Sequence, residues 1–279
     1  MTITMNTTVR NVGTEAVRSG HLTVPLMATP QTPQQVILSE VFTPEPLGIS
    51  HDKLGNRSGV WDLAGLAAGA TLVIGQQYQL RVWGAGGGGI NGAVLPQHTA
   101  SEAKIEAAAP DIHGLAVTLT AGLSDEVDKL ARFMLAVREA LAYDTDSPAA
   151  NQGALAGLAA GGGTCEEFAS LFVALCRAAG IPARVVNGWG RDAASAASAW
   201  GISADLRGYR HAWAEVYVAG VGWATVDPTF NRAGISGVSG KGLPAGILIA
   251  ANYGDRSIVG SYAGGRLEVT RQHGLTSTN

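Results

Sequence analysis

Three residues of this 279-residue chain stand in settings that suit nucleophilic chemistry. Cys165 lies in Gly163-Thr164-Cys165-Glu166-Glu167-Phe168, His211 opens His211-Ala212-Trp213-Ala214-Glu215-Val216-Tyr217, and Asp227 precedes Pro228 in Gly222-Trp223-Ala224-Thr225-Val226-Asp227-Pro228-Thr229. A cysteine attacks only as the thiolate, so it needs a base beside it. That base in turn needs a third group to hold its tautomer. Cys165, His211 and Asp227 can fill these roles with no residue left over. Other readings explain less. A structural histidine accounts for His211 alone, and a metal site built from the three lacks the local C-x-x-C or H-x-x-x-H pairs that zinc favours.

The surrounding elements must bring the three together. Thr164 and Glu167 have the spacing of a capping box, and Gly161-Gly162-Gly163 bars an earlier helix start. A helix over 166–179 follows, with Phe168, Leu171, Phe172 and Leu175 on one stripe, and Gly180 and Pro182 stop it. Cys165 then occupies the first helical position, where unpaired N–H groups and the helix dipole favour a thiolate. A strand over 183–190 leads to a hairpin. Residues 211–218 form its first strand, Ala219-Gly220-Val221-Gly222 its turn, and 223–227 its second strand. Along the first strand Ala212, Ala214, Val216 and Val218 take one face, and His211, Trp213, Glu215 and Tyr217 take the other. His211 and Asp227 both lie at the end away from the turn, where a cross-strand or diagonal contact is feasible.

These three segments, in this order and these contexts, resemble the transglutaminase-like superfamily, whose thiol enzymes carry a Cys-His-Asp triad on a papain-like α+β core. The resemblance covers roughly the second half of the chain. It implies a nucleophile helix packed on an antiparallel sheet, with Cys165 attacking a carboxamide or peptide carbonyl. His211 would act as acid and base and Asp227 would hold its ring. The backbone N–H of Cys165 is expected as one oxyanion donor, and the second is left open among Trp189, Tyr143 and Tyr209. No metal or organic cofactor is expected, and the expected partner is a peptide or protein substrate. Bacterial members are mostly read as peptidases or amidases, which favours hydrolysis. Protein-glutamine transamidation and a non-catalytic peptide-binding scaffold are the alternatives.

Upstream, short alternating runs at 21–27, 35–42, 60–63, 71–74 and 77–83 are separated by turn-formers, and Pro25, Pro30, Pro33, Pro44 and Pro46 exclude helix. The chain is therefore expected to fold as an all-β sandwich over 1–112 followed by a catalytic domain over 113–279. Asp52-Lys53-Leu54-Gly55-Asn56 resembles the D-x-x-G-N turn of the sandwich that often precedes a bacterial transglutaminase-like core. A helix is expected from Ser124 to Tyr143 with Ser124 as its cap, a short one over 154–160, and further core-sheet strands at 246–250, 257–262 and 266–270. The run 84–89 satisfies G-x-G-x-x-G, but Gly92 and Pro96 leave it no helix to open, so it reads as a linker. The loop 191–208, rich in Ala and Ser, is expected at the cleft rim as a lid. Cys176, eleven residues past Cys165 in the same helix, is too far along the axis for a disulfide and reads as core. The net charge of −3 offers no basic field for nucleic acid or anionic lipid. A polar opening segment, and no run of about 18 apolar residues, lead to the expectation of a cytoplasmic protein.

Overall fold

The computed structural model describes residues 1–28, 35–82, 92–191, 200, 203–244, 247–254 and 256–276. The glycine run 84–89 and most of the expected lid lie outside the described residues. Alternating sequence produces the first strands: β1 (Thr2–Asn11), β2 (Ser19–Leu26), β3 (Gln35–Thr43), β4 (Gly48–His51), β5 (Arg57–Asp62) and β6 (Thr71–Val82). In β1 every second side chain, Ile3, Met5, Thr7 and Val9, is buried, the period of two that a half-covered sheet imposes. The run 71–74 and the run 77–83 are not separate strands. β6 continues through Gly75, which pairs with Asn6 on one side and Thr43 on the other.

Past the linker, Pro110 opens α1 (Pro110–Thr120), a helix the sequence reading missed. Proline in the first turn is tolerated because its missing N–H would be unpaired anyway. α2 (Glu126–Ala140) begins one residue later than expected. Asp125, not Ser124, caps it by accepting the N–H groups of Val127 and Asp128. It also ends earlier, at β7 (Ala142–Tyr143), which pairs in parallel after α3 (Ala154–Ala160) with β8 (Gly162–Gly163). α4 (Cys165–Ala178) follows, then β9 (Ala183–Gly190), β10 (Ser203–Asp205), β11 (Arg210–Val218), β12 (Gly222–Asp227), β13 (Arg232–Ala233) and β14 (Leu248–Tyr253). Among the described residues the core sheet runs β13-β12-β11-β9-β14, every pairing antiparallel. One face, through Ala212, Ala214 and Val216, packs on the helices in a cluster centred on Phe168, Leu171 and Phe172. The other, through Val186, Trp213 and Ile249, joins the apolar core of the sandwich. An α+β core behind an all-β sandwich is therefore the architecture.

The end of the chain departs from expectation. Residues 257–262 and 266–270 do not extend the core sheet. β15 (Val259–Ala263) pairs with β2, and β16 (Leu267–Thr276) pairs with β1 along its whole length and with β10. The sandwich sheets are thus β10-β16-β1-β6-β3 and β15-β2-β5-β4. The physical reason is the free edge of β1, whose N–H and C=O groups need a partner that no neighbouring strand supplies. Conversely, Arg177 of α4 holds Glu102 at 2.7 Å and the Ala100 carbonyl at 2.8 Å, and Ile105 sits in the helical core. So residues assigned to 1–112 serve the helical part, and residues assigned to 113–279 complete the sandwich.

Side-chain amides join the two parts. The Gln35 amide donates to the Ala250 carbonyl and accepts its N–H, both at 2.9 Å. Asn56 does the same for Tyr253, at 3.0 and 2.7 Å. Asn56 is aimed by the turn noted above, where Asp52 accepts the N–H groups of Leu54 and Asn56 and the Asn56 amide. The D-x-x-G-N resemblance therefore marks a docking turn.

Candidate active site

The helix start is over-determined. The Thr164 hydroxyl accepts the Glu166 N–H at 3.3 Å, and the wholly buried Glu167 carboxylate reaches back to the Thr164 N–H at 2.9 Å and its hydroxyl at 3.0 Å. The same carboxylate accepts the N–H groups of Gln152 and Gly153 at 3.1 and 3.3 Å. One buried anion therefore fixes both the first turn of α4 and the loop before α3. Cys165 is the first residue of that helix and is partly exposed, with its N–H among those that no helical carbonyl can take.

β11 and β12 bring the histidine and the aspartate together. Ala214 pairs with Val226, so one step further along the ladder Asp227 faces Trp213 and lies diagonal to His211 on the same side. His211 Nε2 meets Asp227 Oδ2 at 2.7 Å, with both side chains buried. The other Asp227 oxygen accepts the Phe230 N–H at 3.2 Å. The second ring nitrogen is thus left for the thiol, and Cys165 lies near enough to the His211 ring to raise its pKa. Burial opposes a charge on His211, but Asp227 and then Cys165 outweigh it and lift the imidazole to about 10. The ring is clamped in a stack, 4.6 Å from Phe230 and 6.0 Å from Trp213. The structure therefore brings Cys165, His211 and Asp227 into one chain of contacts. An imidazolium held beside a thiol at a helix start can stabilise a thiolate, and its proton can be passed to a leaving group.

Gly190 makes room for this. A Cβ there would stand 2.5 Å from His211 Cδ2. Cys165 and His211 line a pocket of about 350 Å³ with Asn187, Trp189, Arg210, Arg271 and His273. Through Glu166, Asn187 and Arg256 it adjoins a larger chamber of about 610 Å³ between the Asp52 turn, residues 102–105 and α4. Of the oxyanion candidates, Trp189 lines the pocket and meets His273 edge-on at 5.2 Å. Tyr143 is exposed yet near enough to Cys165 for the thiol, after burial, to push its hydroxyl upward. Tyr209 instead packs on Trp200 at 5.3 Å and under Arg191 at 5.0 Å. Cys176 is fully buried, which raises its thiol well above the ordinary value.

Sequence reasoning missed Phe230, Asn187, Arg210, Arg271 and His273. Arg210, beside His211, and Phe230, three residues past Asp227, could have been found by inspecting the flanks. Arg271 and His273 carried no signal, because β16 was assigned to the wrong sheet.

Residues 113–228 match the model of the transglutaminase-like superfamily. An uncharacterized protein of Haemophilus influenzae is 42% identical over 76 residues, a stretch covering 23% of this chain and 20% of that protein. The uncharacterized protein YebA of Bacillus subtilis is 39% identical over 69 residues, covering 24% of this chain and 9% of that protein. The match therefore spans a fifth or less of these relatives. A candidate cysteine protease from Cytophaga hutchinsonii has the same fold in crystal form, with a TM-score of 0.58 and 17% identity over 97% of this chain and 90% of that one. The likeness in fold thus extends over the sandwich as well as the core. Among the described residues no helix is long and apolar enough to cross a membrane.

Proposed function

We propose that this chain, which belongs to the transglutaminase-like superfamily through residues 113–228, is a thiol hydrolase of peptide or carboxamide bonds with Cys165, His211 and Asp227 as its triad. The observation that carries the reading is the buried His211 ring, held by Asp227 at 2.7 Å through Nε2, lining one pocket with Cys165 at the start of α4. The Cys165 thiolate adds to the carbonyl carbon, and the oxyanion is received by the free N–H of Cys165. As the C–N bond breaks, His211 gives its proton to the departing amine and a thioester remains. His211 then takes a proton from water, hydroxide adds, and the acid leaves as the thiolate returns. Asp227 keeps the ring oriented throughout and stabilises it whenever it carries the proton.

Water is favoured over an amine as acceptor. The pocket and its adjoining chamber, about 350 and 610 Å³, lie in the range that holds one small ligand or short peptide, whereas cross-linking must seat two protein chains and exclude solvent. A peptide-library screen with the native chain and Cys165→Ala tests the reading. Cleavage is expected from the native chain and not from the variant. Incorporation of a labelled primary amine into a glutamine peptide faster than release to water would replace hydrolysis by transamidation. Activity that persists in Cys165→Ala would end the triad.

A further inference from the structure

The wall of the thiol pocket carries positive charge that its neighbours do not neutralise. The nearby carboxylates are engaged: Glu166 holds Lys104 at 2.9 Å, Asp52 holds Arg256, and Asp205 holds Arg207 at 2.6 Å. Two arginines remain. Arg210, next to His211, is exposed and has no hydrogen-bond or ion-pair partner among the described residues. Arg271 reaches the same pocket from β16, where one terminal nitrogen donates to the Pro25 carbonyl at 3.2 Å and Nε is buried without a partner. Trp189 ties the wall together, as register partner of Arg210 and edge-on neighbour of His273 at 5.2 Å. His273 lies two residues beyond Arg271, on the same face of β16. Burial foremost, with Arg210 adding to it and Tyr78 opposing, pushes Arg271 below the ordinary value. Burial and then the two arginines push His273 down to about 4 against Asp205. The arginines thus repel one another across a half-dry wall, with no anion between them among the described residues.

We propose that Arg210 and Arg271 bind a carboxylate of the substrate, so that the bond presented to Cys165 belongs to a peptide or amide bearing an acidic group close by. This rests on the hydrolase reading above. Guanidinium groups match the paired oxygens of a carboxylate, and a buried donor without a partner gains most from receiving one. The acidic group is either the side chain of an acidic residue or a free chain terminus, which present the same chemistry. The position of Arg271 also gives the sandwich a share in the site, since β16 pairs with β1.

Two measurements on the full chain decide it. In Cys165→Ser, binding of three probes is compared by calorimetry: N-acetyl-glutamate amide (side-chain carboxylate), N-acetyl-glutamine (terminal carboxylate) and N-acetyl-glutamine amide (neither). One of the carboxylate probes is expected to bind at least about tenfold tighter than the neutral probe, and to identify the source. Arg210→Gln, an exposed change that spares the fold, should remove most of that preference, and Arg271→Gln the rest. Equal binding of all three, or a preference that survives in both variants, overturns the proposal. The second measurement is the ratio of iodoacetate to iodoacetamide alkylation at Cys165, expected to fall several-fold in Arg210→Gln. A ratio that does not fall rejects the arginine site and leaves the thiol enzyme standing. Failure of both reagents to reach Cys165 rejects the thiol enzyme, and the calorimetry still decides the arginines.

Discussion

With Asp227 on Nε2 and Cys165 nearby, the His211 ring is buried yet favoured in its charged form, up to about 10. The sign of the pH dependence follows. In the proposed mechanism the imidazolium is the proton donor to the leaving amine, so kcat/KM should fall as pH rises through about 10. Asp227→Asn removes the largest cause that raises the imidazole and keeps the shape. The alkaline limb should then move acidward by about one unit or more, with kcat reduced on the order of 10²-fold or more. An alkaline limb that stays in place in Asp227→Asn would show that another group sets it. Stability follows the same linkage: because the folded value is raised, the contribution of the pair is complete below about 6.5, the unfolded value. It is lost as pH climbs toward 10, which urea titrations across that window should register.

At the scale of elements, the start of α4 carries Cys165 and the end of β9 leaves room for the His211 ring. Glu167 accepts four hydrogen bonds with its two oxygens, and glutamine in its place must turn an NH₂ toward at least one backbone N–H whichever way the amide flips. Glu167→Gln should therefore lower unfolding free energy by about 2–4 kcal/mol in denaturant titrations, although the change is nearly isosteric. Gly190→Ala acts differently. The new Cβ would press on His211 at 2.5 Å and on the Leu248 side chain at 2.9 Å, so the ring must leave its position between Phe230 and Trp213. A displacement of that size is expected to cost on the order of 10² in kcat, while far-UV circular dichroism stays native. If kcat is unchanged, the ring position matters less than the contact geometry implies.

Over the whole molecule, the core sheet has no solvent-facing side to spare, because Trp213, Ile249 and Tyr253 are covered by the sandwich and the Gln35 and Asn56 amides close the seam. A fragment of residues 92–256 keeps Cys165, His211 and Asp227 but loses that cover, together with β16 and Arg271. It should be insoluble or should bind a hydrophobic dye strongly, whereas the full chain should melt in one cooperative transition. Two resolved transitions in the full chain would mean that the parts fold independently. Asn56→Ala removes both hydrogen bonds to the Tyr253 backbone and should destabilise the full chain by about 2–3 kcal/mol in the same melts.

What could be read from sequence was what local physics decides. The capping box of Thr164 and Glu167 specified where α4 starts and so where Cys165 sits. The alternation along 211–218 specified which residues share the His211 face, because neither depends on anything more than a few residues away. The turn at Asp52 was visible for the same reason, but its purpose was not, since Asn56 meets Tyr253 only when the chain folds back across a separation of 197 residues. Tertiary structure alone decided the rest. The strands at 259–263 and 267–276 have no local feature that prefers one sheet over another, and they went where β1 and β2 offered unpaired edges. That choice carried Arg271 and His273 into the pocket of Cys165, a neighbourhood made by the closure of the sandwich.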